Sequence, residues 1–312
     1  MINPWRKVYD LPQSRDPYKY GIPKFALYID VEPTNNCNFS CLFCARQQMN
    51  RPIGYMSLEL LEKICKQASE YGAYGIRLLR WGEPLLHPDI IEFINIIRKY
   101  NLLSHITTNG SLLNAEMAKN IIESKLDSII ISLQGTTDLE YNKLRNTNKY
   151  RLVHDNIIRL SKLREELNSE KPYIQVTTTV TDESAEDIEH WKSYWMNYVD
   201  EASWGYTWFK RIQNKRKIRN YLERQHKLPH YFKCIEAMNK LSIDWDGTVS
   251  PCCLDYDQQL TIGNINNSTL LKLWNSEELK AIRTLLGNKR QDLLTLCSTC
   301  ELNYPFRGKI ND

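Results

Sequence analysis

The stretch that decides the fold is ALYIDVEPTNNCNFSCLFC, residues 26–44. Its first six residues are a short apolar run, which predicts a β-strand. Cys37, Cys41 and Cys44 follow that run within a span of eight residues. The three thiols are therefore predicted to lie on a loop at the carboxyl end of the first strand.

A strand–helix alternation extends outward from this stretch. Predicted strands cover 26–31, 75–80, 104–108, 127–133, 173–180 and 202–209. Predicted helices cover 57–71, 88–100, 114–125, 150–167 and 184–198. About six βα units favour an α/β fold, in which helices cover a parallel sheet. The residues alone leave open whether the sheet is flat or closed into a barrel.

Composition narrows the functional class. The chain has 312 residues, of which 42% are hydrophobic and 25% charged, and this excludes a disordered or fibrous protein. A net charge of +4 does not reach the strongly basic balance of a dedicated nucleic-acid binder. Because no apolar run could span a bilayer and no signal-peptide core is present, we expect a cytoplasmic protein without membrane or nucleic-acid partners.

Eight of the nine cysteines fall into two groups. Because cytosolic thiols stay reduced, disulfides do not account for this grouping. The second group lies in the last 80 residues and comprises Cys234, Cys252, Cys253, Cys297 and Cys300. Two groups at opposite ends of the chain predict two thiolate sites in two structural units. Cys65 stands apart on the apolar stripe of the helix predicted at 57–71, so we interpret it as a packing residue.

Three thiolates on one short loop are suited to a soft metal centre. A closed zinc site needs four ligands, whereas three thiolates on a four-iron cluster leave one iron open for a non-protein ligand. The spacing therefore favours an iron–sulfur cluster held by Cys37, Cys41 and Cys44. A zinc knuckle with a distant fourth ligand is the alternative.

The C-x3-C-x2-C spacing, with the aromatic Phe43 before the third cysteine, resembles the radical S-adenosylmethionine (SAM) superfamily. Trp81-Gly82-Glu83-Pro84 resembles the GGEP motif of that family, with Trp81 replacing the usual first glycine. Thr108-Asn109-Gly110 resembles its TNG segment, and Ser132 with Gln134 resembles the polar pair near the ribose and methionine carboxylate. The SAM-binding residues that the resemblance implies are Phe43, Gly82, Glu83, Asn109, Ser132 and Gln134.

These motifs share one predicted location. Each follows the carboxyl end of a successive predicted strand, and in parallel β/α folds active sites form at that edge. Each motif alone is weak: Asn109-Gly110 is ordinarily a turn, and Glu83 is ordinarily a surface carboxylate. Together with the resemblance, their shared edge implies a partial (β/α)6 TIM-like barrel whose first [4Fe-4S] cluster binds SAM through its open iron.

Four cysteines of the second group have the spacing C-x17-C-x44-C-x2-C and resemble the Twitch and SPASM auxiliary-cluster domains: Cys234, Cys252, Cys297 and Cys300. This resemblance implies a fully ligated auxiliary [4Fe-4S] cluster, with a four-cysteine zinc site as the alternative. Neighbouring side chains in a strand point to opposite faces, so only one of Cys252 and Cys253 is expected to be a ligand. We assign Cys252, which leaves Cys253 as a packing residue or a thiol near the active site.

The predicted organisation is an N-terminal extension at 1–24, a radical SAM barrel at 25–215, a basic linker at 216–233 and a small α+β auxiliary domain at 234–312. In the last of these, 241–253 predicts two strands around the Asp246-Gly247 turn, and 268–286 predicts one helix. Arg211, Lys215 and Lys217 are positional guesses for substrate contacts.

The resemblance implies an oxidoreductase that generates a 5′-deoxyadenosyl radical and abstracts hydrogen from a sugar- or cyclitol-like small molecule. Dehydrogenation of an alcohol to a ketone, with an electron passing to the auxiliary cluster, is the leading hypothesis. Epimerisation, in which a thiol such as that of Cys253 returns hydrogen, and modification of a ribosomal peptide are alternatives; a non-catalytic zinc protein is a remote one. A reducing donor such as flavodoxin or ferredoxin is the expected partner, and no catalytic residue is assigned.

Overall fold

The computed structural model describes residues 1–207, 234–298 and 300. In this part of the chain nine strands form one sheet, in the order β6-β5-β4-β3-β2-β1-β7-β8-β9. The strands are β1 (Tyr28–Val31), β2 (Gly75–Leu78), β3 (Leu103–Thr108), β4 (Ser128–Ser132), β5 (Tyr173–Val180), β6 (Glu201–Tyr206), β7 (Lys240–Ile243), β8 (Thr248–Ser250) and β9 (Gly263–Asn264). All neighbours from β6 to β7 are parallel, whereas β7–β8 and β8–β9 are antiparallel. The predicted α/β fold is confirmed.

Helices follow most of the parallel strands. The barrel helices are α4 (Leu58–Glu70), α5 (Ile90–Lys99), α6 (Ala115–Glu123), α7 (Asp138–Arg145), α8 (Tyr150–Glu166) and α9 (Ala185–Trp195). Short polar side chains fix several of their starts: Ser57 accepts from the Leu60 amide, and Ser184 forms a capping box with Asp187. The helix α7 was not predicted.

Further helices lie at the two ends of the chain: α1 (Arg6–Tyr9), α2 (Pro12–Arg15), α3 (Pro17–Tyr20), α10 (Glu236–Asn239), α11 (Leu270–Trp274), α12 (Glu277–Gly287) and α13 (Thr295–Ser298). The prediction of one helix over 268–286 is wrong, because the segment divides into α11 and α12. Ser276 accepts from the Leu279 amide and starts the second helix, and Thr269 accepts from the Lys272 amide and caps the first.

The two faces of the sheet differ in chemistry. Ile29, Ile76 and Ile106 lie on one face with no solvent exposure, in the apolar core that also contains the helices. Along β5 buried residues alternate with half-buried ones, so the opposite, inner face of the barrel is partly open. That inner face is polar; it presents Gln175 and Thr177 on this strand.

The C-terminal unit is continuous with the barrel sheet. β7 pairs in parallel with β1, in the register Tyr28↔Lys240, and the predicted Asp246-Gly247 hairpin connects β7 to β8. The N-terminal segment also joins the barrel, since Trp5 packs edge-on against the Tyr28 ring with 1% of its surface exposed. Within the described residues no helix combines the length and apolarity needed to cross a bilayer. The predicted linker at 216–233, and Arg211, Lys215 and Lys217, lie outside the described residues.

Candidate functional site

The first cysteine loop follows β1, as predicted, and continues into a 3-10 turn at Ala45–Gln48. Cys41 is buried, while Cys37 and Cys44 are half-buried. Burial raises the pKa of all three thiols, that of Cys44 to about 12, and each neighbouring thiolate raises the pKa of Cys44 further. Burial and mutual repulsion both disfavour the thiolate forms of these cysteines. A bound cation would offset both effects, so the three thiols are suited to hold one.

The helix α7 holds this loop from the outside. The Leu42 amide donates to the Leu144 carbonyl at 2.8 Å, and Asn146 Nδ2 donates to Ser40 Oγ at 2.8 Å. Arg145 is buried, lies 5.7 Å from the centre of the Phe43 ring and lowers the pKa of Cys41 against the larger effect of burial. Sequence reasoning missed Arg145, since a lone arginine at the end of a polar helix is ordinarily a surface residue.

The second predicted motif packs against the chain that leads into the cysteine loop. A Cβ on Gly82 would lie 1.9 Å from the Thr34 carbonyl oxygen, so only glycine allows this approach. The Glu83 amide donates to the Asn36 carbonyl at 2.7 Å. Gly82 therefore fixes the carboxylate of Glu83 next to the loop of Cys37.

Glu83 is 2% exposed and joins this motif to the end of β3. Its Oε1 accepts from Thr108 Oγ1 at 2.6 Å and from the Leu85 amide at 3.1 Å, and its Oε2 accepts from the Asn109 amide at 2.7 Å. Burial raises the pKa of Glu83, although these hydrogen bonds oppose the rise. A carboxylate offers about four lone-pair sites, so capacity for one further donor, such as an ammonium group, remains.

Asn109 lies beside Glu83, but its side chain already forms hydrogen bonds with other protein groups. Its Nδ2 donates to Asn38 Oδ1 at 2.8 Å, and its Oδ1 accepts from the amide and the hydroxyl of Ser111. Asn109 thus joins the end of β3 to the cysteine loop. Any contribution of this residue to ligand binding would come through the arrangement of the loops around it.

Ser132 and Gln134 lie one strand further along. Ser132 is the last residue of β4 and is half-buried. Gln134 is 1% exposed; its Nε2 donates to the Thr179 carbonyl at 2.6 Å and to Thr207 Oγ1 at 2.7 Å. Gln134 therefore cross-links the ends of β5 and β6, whereas part of Ser132 is exposed to solvent.

The second cysteine group meets in one recess. Cys234, Cys252, Cys297 and Cys300 line it together with six apolar residues: Ala237, Pro251, Leu260, Ile282, Leu286 and Leu296. About 370 Å³ of space outside protein atoms lies there, part of it open to solvent. Burial raises the pKa of Cys234 to about 12, and Cys300 adds to that rise. The chemistry of four thiols in an apolar recess fits a soft metal cluster.

Cys253 does not line this recess. Its Sγ lies 3.7 Å from Glu236 Oε2, and Lys240 and Asp30 influence its pKa, which burial raises. Neighbouring cysteines of one chain thus occupy different environments, Cys252 in the recess and Cys253 beside the charged inner face of the barrel. Among the residues the structure describes, no three His, Cys, Asp or Glu side chains are arranged as ligands of a single metal ion.

Comparison with known proteins places this geometry in a family. The family model described as Radical SAM superfamily matches residues 31–194. The chain belongs to the radical SAM superfamily. A second model, described as an iron-sulfur cluster-binding domain, matches residues 234–301 and so covers the recess. This radical SAM enzyme therefore uses SAM and a [4Fe-4S] cluster, and its C-terminal region is an auxiliary iron–sulfur domain.

Individual relatives of this radical SAM chain are described with different roles and bound molecules. It is 24% identical, over 88% of its length and 87% of the relative's, to the tungsten-containing aldehyde ferredoxin oxidoreductase cofactor-modifying protein of Pyrococcus furiosus. Its fold is similar to that of BtrN in complex with AdoMet and 2-DOIA (TM-score 0.59, 19% identity, 89% of this chain and 93% of that one). It is also similar to Streptococcus suis SuiB bound to precursor peptide SuiA (TM-score 0.66, 20% identity, 87% of this chain and 70% of that one). At these identities the structures establish the fold alone.

Proposed function

We propose that this radical SAM enzyme dehydrogenates a sugar- or cyclitol-like alcohol to a ketone. The observation that supports this most is the single recess lined by four cysteines. Four protein ligands saturate a four-iron cluster, and a saturated cluster can exchange electrons but has no iron free to bind substrate. A dehydrogenase needs such an acceptor for the second electron that leaves its substrate.

The residues would divide between three groups. Cys37, Cys41 and Cys44 would hold the first cluster, and the recess cysteines Cys234, Cys252, Cys297 and Cys300 would hold the auxiliary one. Phe43, Gly82, Glu83, Asn109, Ser132 and Gln134 would build the SAM site, Glu83 as acceptor for the methionine ammonium and Asn109 and Gln134 as its supports. When bound, these groups supply a hydrogen-abstracting 5′-deoxyadenosyl radical and a one-electron acceptor.

The side chains on the inner face of the barrel are suited to a neutral, polar substrate. Gln175 Nε2 donates to Ser203 Oγ at 2.8 Å, and Ser203 Oγ donates to Thr177 Oγ1 at 3.2 Å, in a row of half-buried side chains. Arg77 on the same face is held by both oxygens of Asp30, so its charge is already compensated. Hydroxyl and amide groups in this position match the hydroxyls of a sugar or cyclitol.

The test uses anaerobically reconstituted protein with SAM, a strong reductant and a panel of cyclitols and sugars. In dehydrogenation a substrate carbon loses a hydrogen atom, its hydroxyl loses a proton, and one electron leaves. We expect 5′-deoxyadenosine together with a product two hydrogens lighter. Release of 5′-deoxyadenosine with an unchanged substrate mass across the panel would contradict the proposal.

A second reaction, epimerisation, is favoured by the place of Cys253. Its thiol lies outside the recess and beside the charged inner face, where a substrate radical could receive hydrogen from it. In deuterated water an epimerase would release a product one mass unit heavier, because thiol protons exchange with solvent. A dehydrogenase would incorporate no solvent deuterium at carbon.

Peptide modification is the remaining enzymatic candidate. SuiB, a similar fold, is described in complex with its precursor peptide, and this likeness motivates the inclusion of ribosomal peptides in the substrate panel. The family matches exclude the alternative of a non-catalytic zinc protein. Metal analysis should find about eight irons and eight sulfides per chain, since two four-iron clusters contain that number.

A further inference from the structure

The residue before the Trp81-Gly82-Glu83 motif has an unusual backbone. Arg80 lies just beyond the end of β2 with φ of 97°. A non-glycine residue in the left-handed region is strained, and such residues persist only where surrounding contacts hold them. The side chain of Arg80 supplies those contacts, because none of its surface is exposed.

The guanidinium of Arg80 reaches across to the loop that carries Cys252. Its NH2 forms an ion pair with Asp244 Oδ1 at 2.7 Å and donates to the Asp255 carbonyl at 3.0 Å. Its NH1 lies 3.5 Å from the carbonyl oxygen of Cys252. The buried Nε has no hydrogen-bond partner, so the group is placed by these contacts with the Cys252 loop and with Asp244.

Neighbours of Arg80 hold the same loop. Arg51, which follows the first cysteine loop, donates through Nε to the Tyr256 carbonyl at 2.9 Å. The Trp81 ring packs edge-on against the Tyr256 ring at 5.6 Å, which explains how tryptophan is accommodated where the family has glycine. Asp257 accepts from the amide and the side chain of Asn50. Residues 252–257 are thus held by contacts with segments 50–51 and 80–81, which lie on the side of the SAM site.

We propose that Arg80 is a positioning residue that orients the Cys252 thiol into the auxiliary recess. Its three contacts on 252–255 and Asp244 fix the backbone from which this thiol projects, while its strained backbone fixes the start of the SAM-binding motif. The inference rests on the proposed role of Cys252 as a ligand. It makes the assembly of the auxiliary site depend on a residue of the radical SAM domain.

The test compares Arg80→Gln with Arg164→Gln. Arg164 forms a similarly buried ion pair with Asp200 at 2.5 Å, near the opposite ends of the strands. The Arg164→Gln variant therefore controls for the loss of a buried charge. After anaerobic reconstitution we expect about four irons in Arg80→Gln and about eight in Arg164→Gln and the unaltered chain. The remaining electron paramagnetic resonance signal of Arg80→Gln should still shift on addition of SAM, because the first cluster is retained. Retention of about eight irons and of both signals in Arg80→Gln would overturn the proposal.

A measurement on the cluster-free protein separates this inference from the proposed function. We expect iodoacetamide to label Cys252 faster in Arg80→Gln than in the unaltered chain, with no change at Cys44, as read by peptide mass spectrometry. Equal labelling of Cys252 in the two proteins would refute positioning by Arg80. If the unaltered chain binds no auxiliary cluster, the proposed function fails while the labelling result still decides the role of Arg80. Should Arg80→Gln be insoluble, Arg80→Lys is measured with the same expectations, since one ammonium cannot reach Asp244 and both carbonyls.

Discussion

The sharpest prediction concerns Gly82, where one methyl group should displace the proposed SAM-binding motif. A Cβ at this position would lie 1.9 Å from the Thr34 carbonyl oxygen and 2.7 Å from that of Asn36. Since carbon and oxygen approach no closer than about 3.3 Å, the two loops must separate by roughly 1.4 Å in Gly82→Ala. That movement breaks the 2.7 Å hydrogen bond from the Glu83 amide to Asn36.

Two effects of Gly82→Ala should be measurable. Overpacking of this kind costs about 1–3 kcal/mol, which lowers the melting temperature of the cluster-free protein by roughly 2–10 °C. Displacement of Glu83 by about 1 Å should weaken SAM binding to the reconstituted protein by tenfold or more. Scanning fluorimetry and isothermal titration calorimetry measure the two quantities.

Gly287→Ala is the matched control. Gly287 is the last residue of α12, and a Cβ there would come no closer than 4.0 Å to the Tyr18 ring. Alanine is the better helix former, so this variant should be as stable as the unaltered chain or more stable by up to about 1 kcal/mol. A Gly82→Ala protein with unchanged melting temperature and unchanged SAM affinity would refute the close approach on which the reasoning depends.

Three further predictions use other parts of the molecule. Cys252→Ala should lower the iron content by up to about four per chain, whereas Cys253→Ala should leave it unchanged, as measured by iron analysis after reconstitution. Burial would raise the pKa of Asp30, but the positive charges of Arg77 and Lys240 outweigh burial and hold the pKa well below its usual range. Its contribution to stability is therefore complete above about pH 5 and declines as the pH falls further; Asp30→Asn should flatten this part of the profile in urea titrations. Trp5→Ala should lower the free energy of unfolding by about 3–5 kcal/mol, because a fully buried indole is removed from the base of the barrel; a loss below about 1 kcal/mol would show that the extension packs only loosely.

Local periodicity was sufficient to predict the alternation of strands and helices, whereas the barrel was implied only by the family resemblance. The strand predicted at 173–180 has the same bounds as β5, and the helix predicted at 57–71 differs from α4 by a single residue at each end. In both cases the apolar residues recur at the period of the element that they form, and Ser57 marks the helix start. The edge at which the motifs cluster followed from the same alternation, since parallel strands share one carboxyl end.

Other features could not be read from local patterns. The helix α7 is strongly polar and buries little beyond Tyr141, Leu144 and Arg145, so it lacks a clear apolar stripe. β9 has two residues and exists only because β8 pairs with it. The hydrogen bonds of Asn109 and Gln134 connect loops from different strands, and a single sequence carries no signal of such contacts.

The pairing of β1 with β7 joins residues more than two hundred positions apart, and an ion pair gives it a physical basis. Asp30 accepts from Arg77 on β2 at 2.6 Å and from Lys240 on β7 at 2.7 Å, all within the barrel wall. A shift of β7 by one residue would turn Lys240 toward the apolar helix face and leave Asp30 without that partner. Because leaving a buried charge unpaired costs far more than the pair itself contributes, such a group is better suited to specify a register than to add stability. Since β7 leads through its hairpin to Cys252, this ion pair also supports the register of the strand from which the Cys252 loop follows.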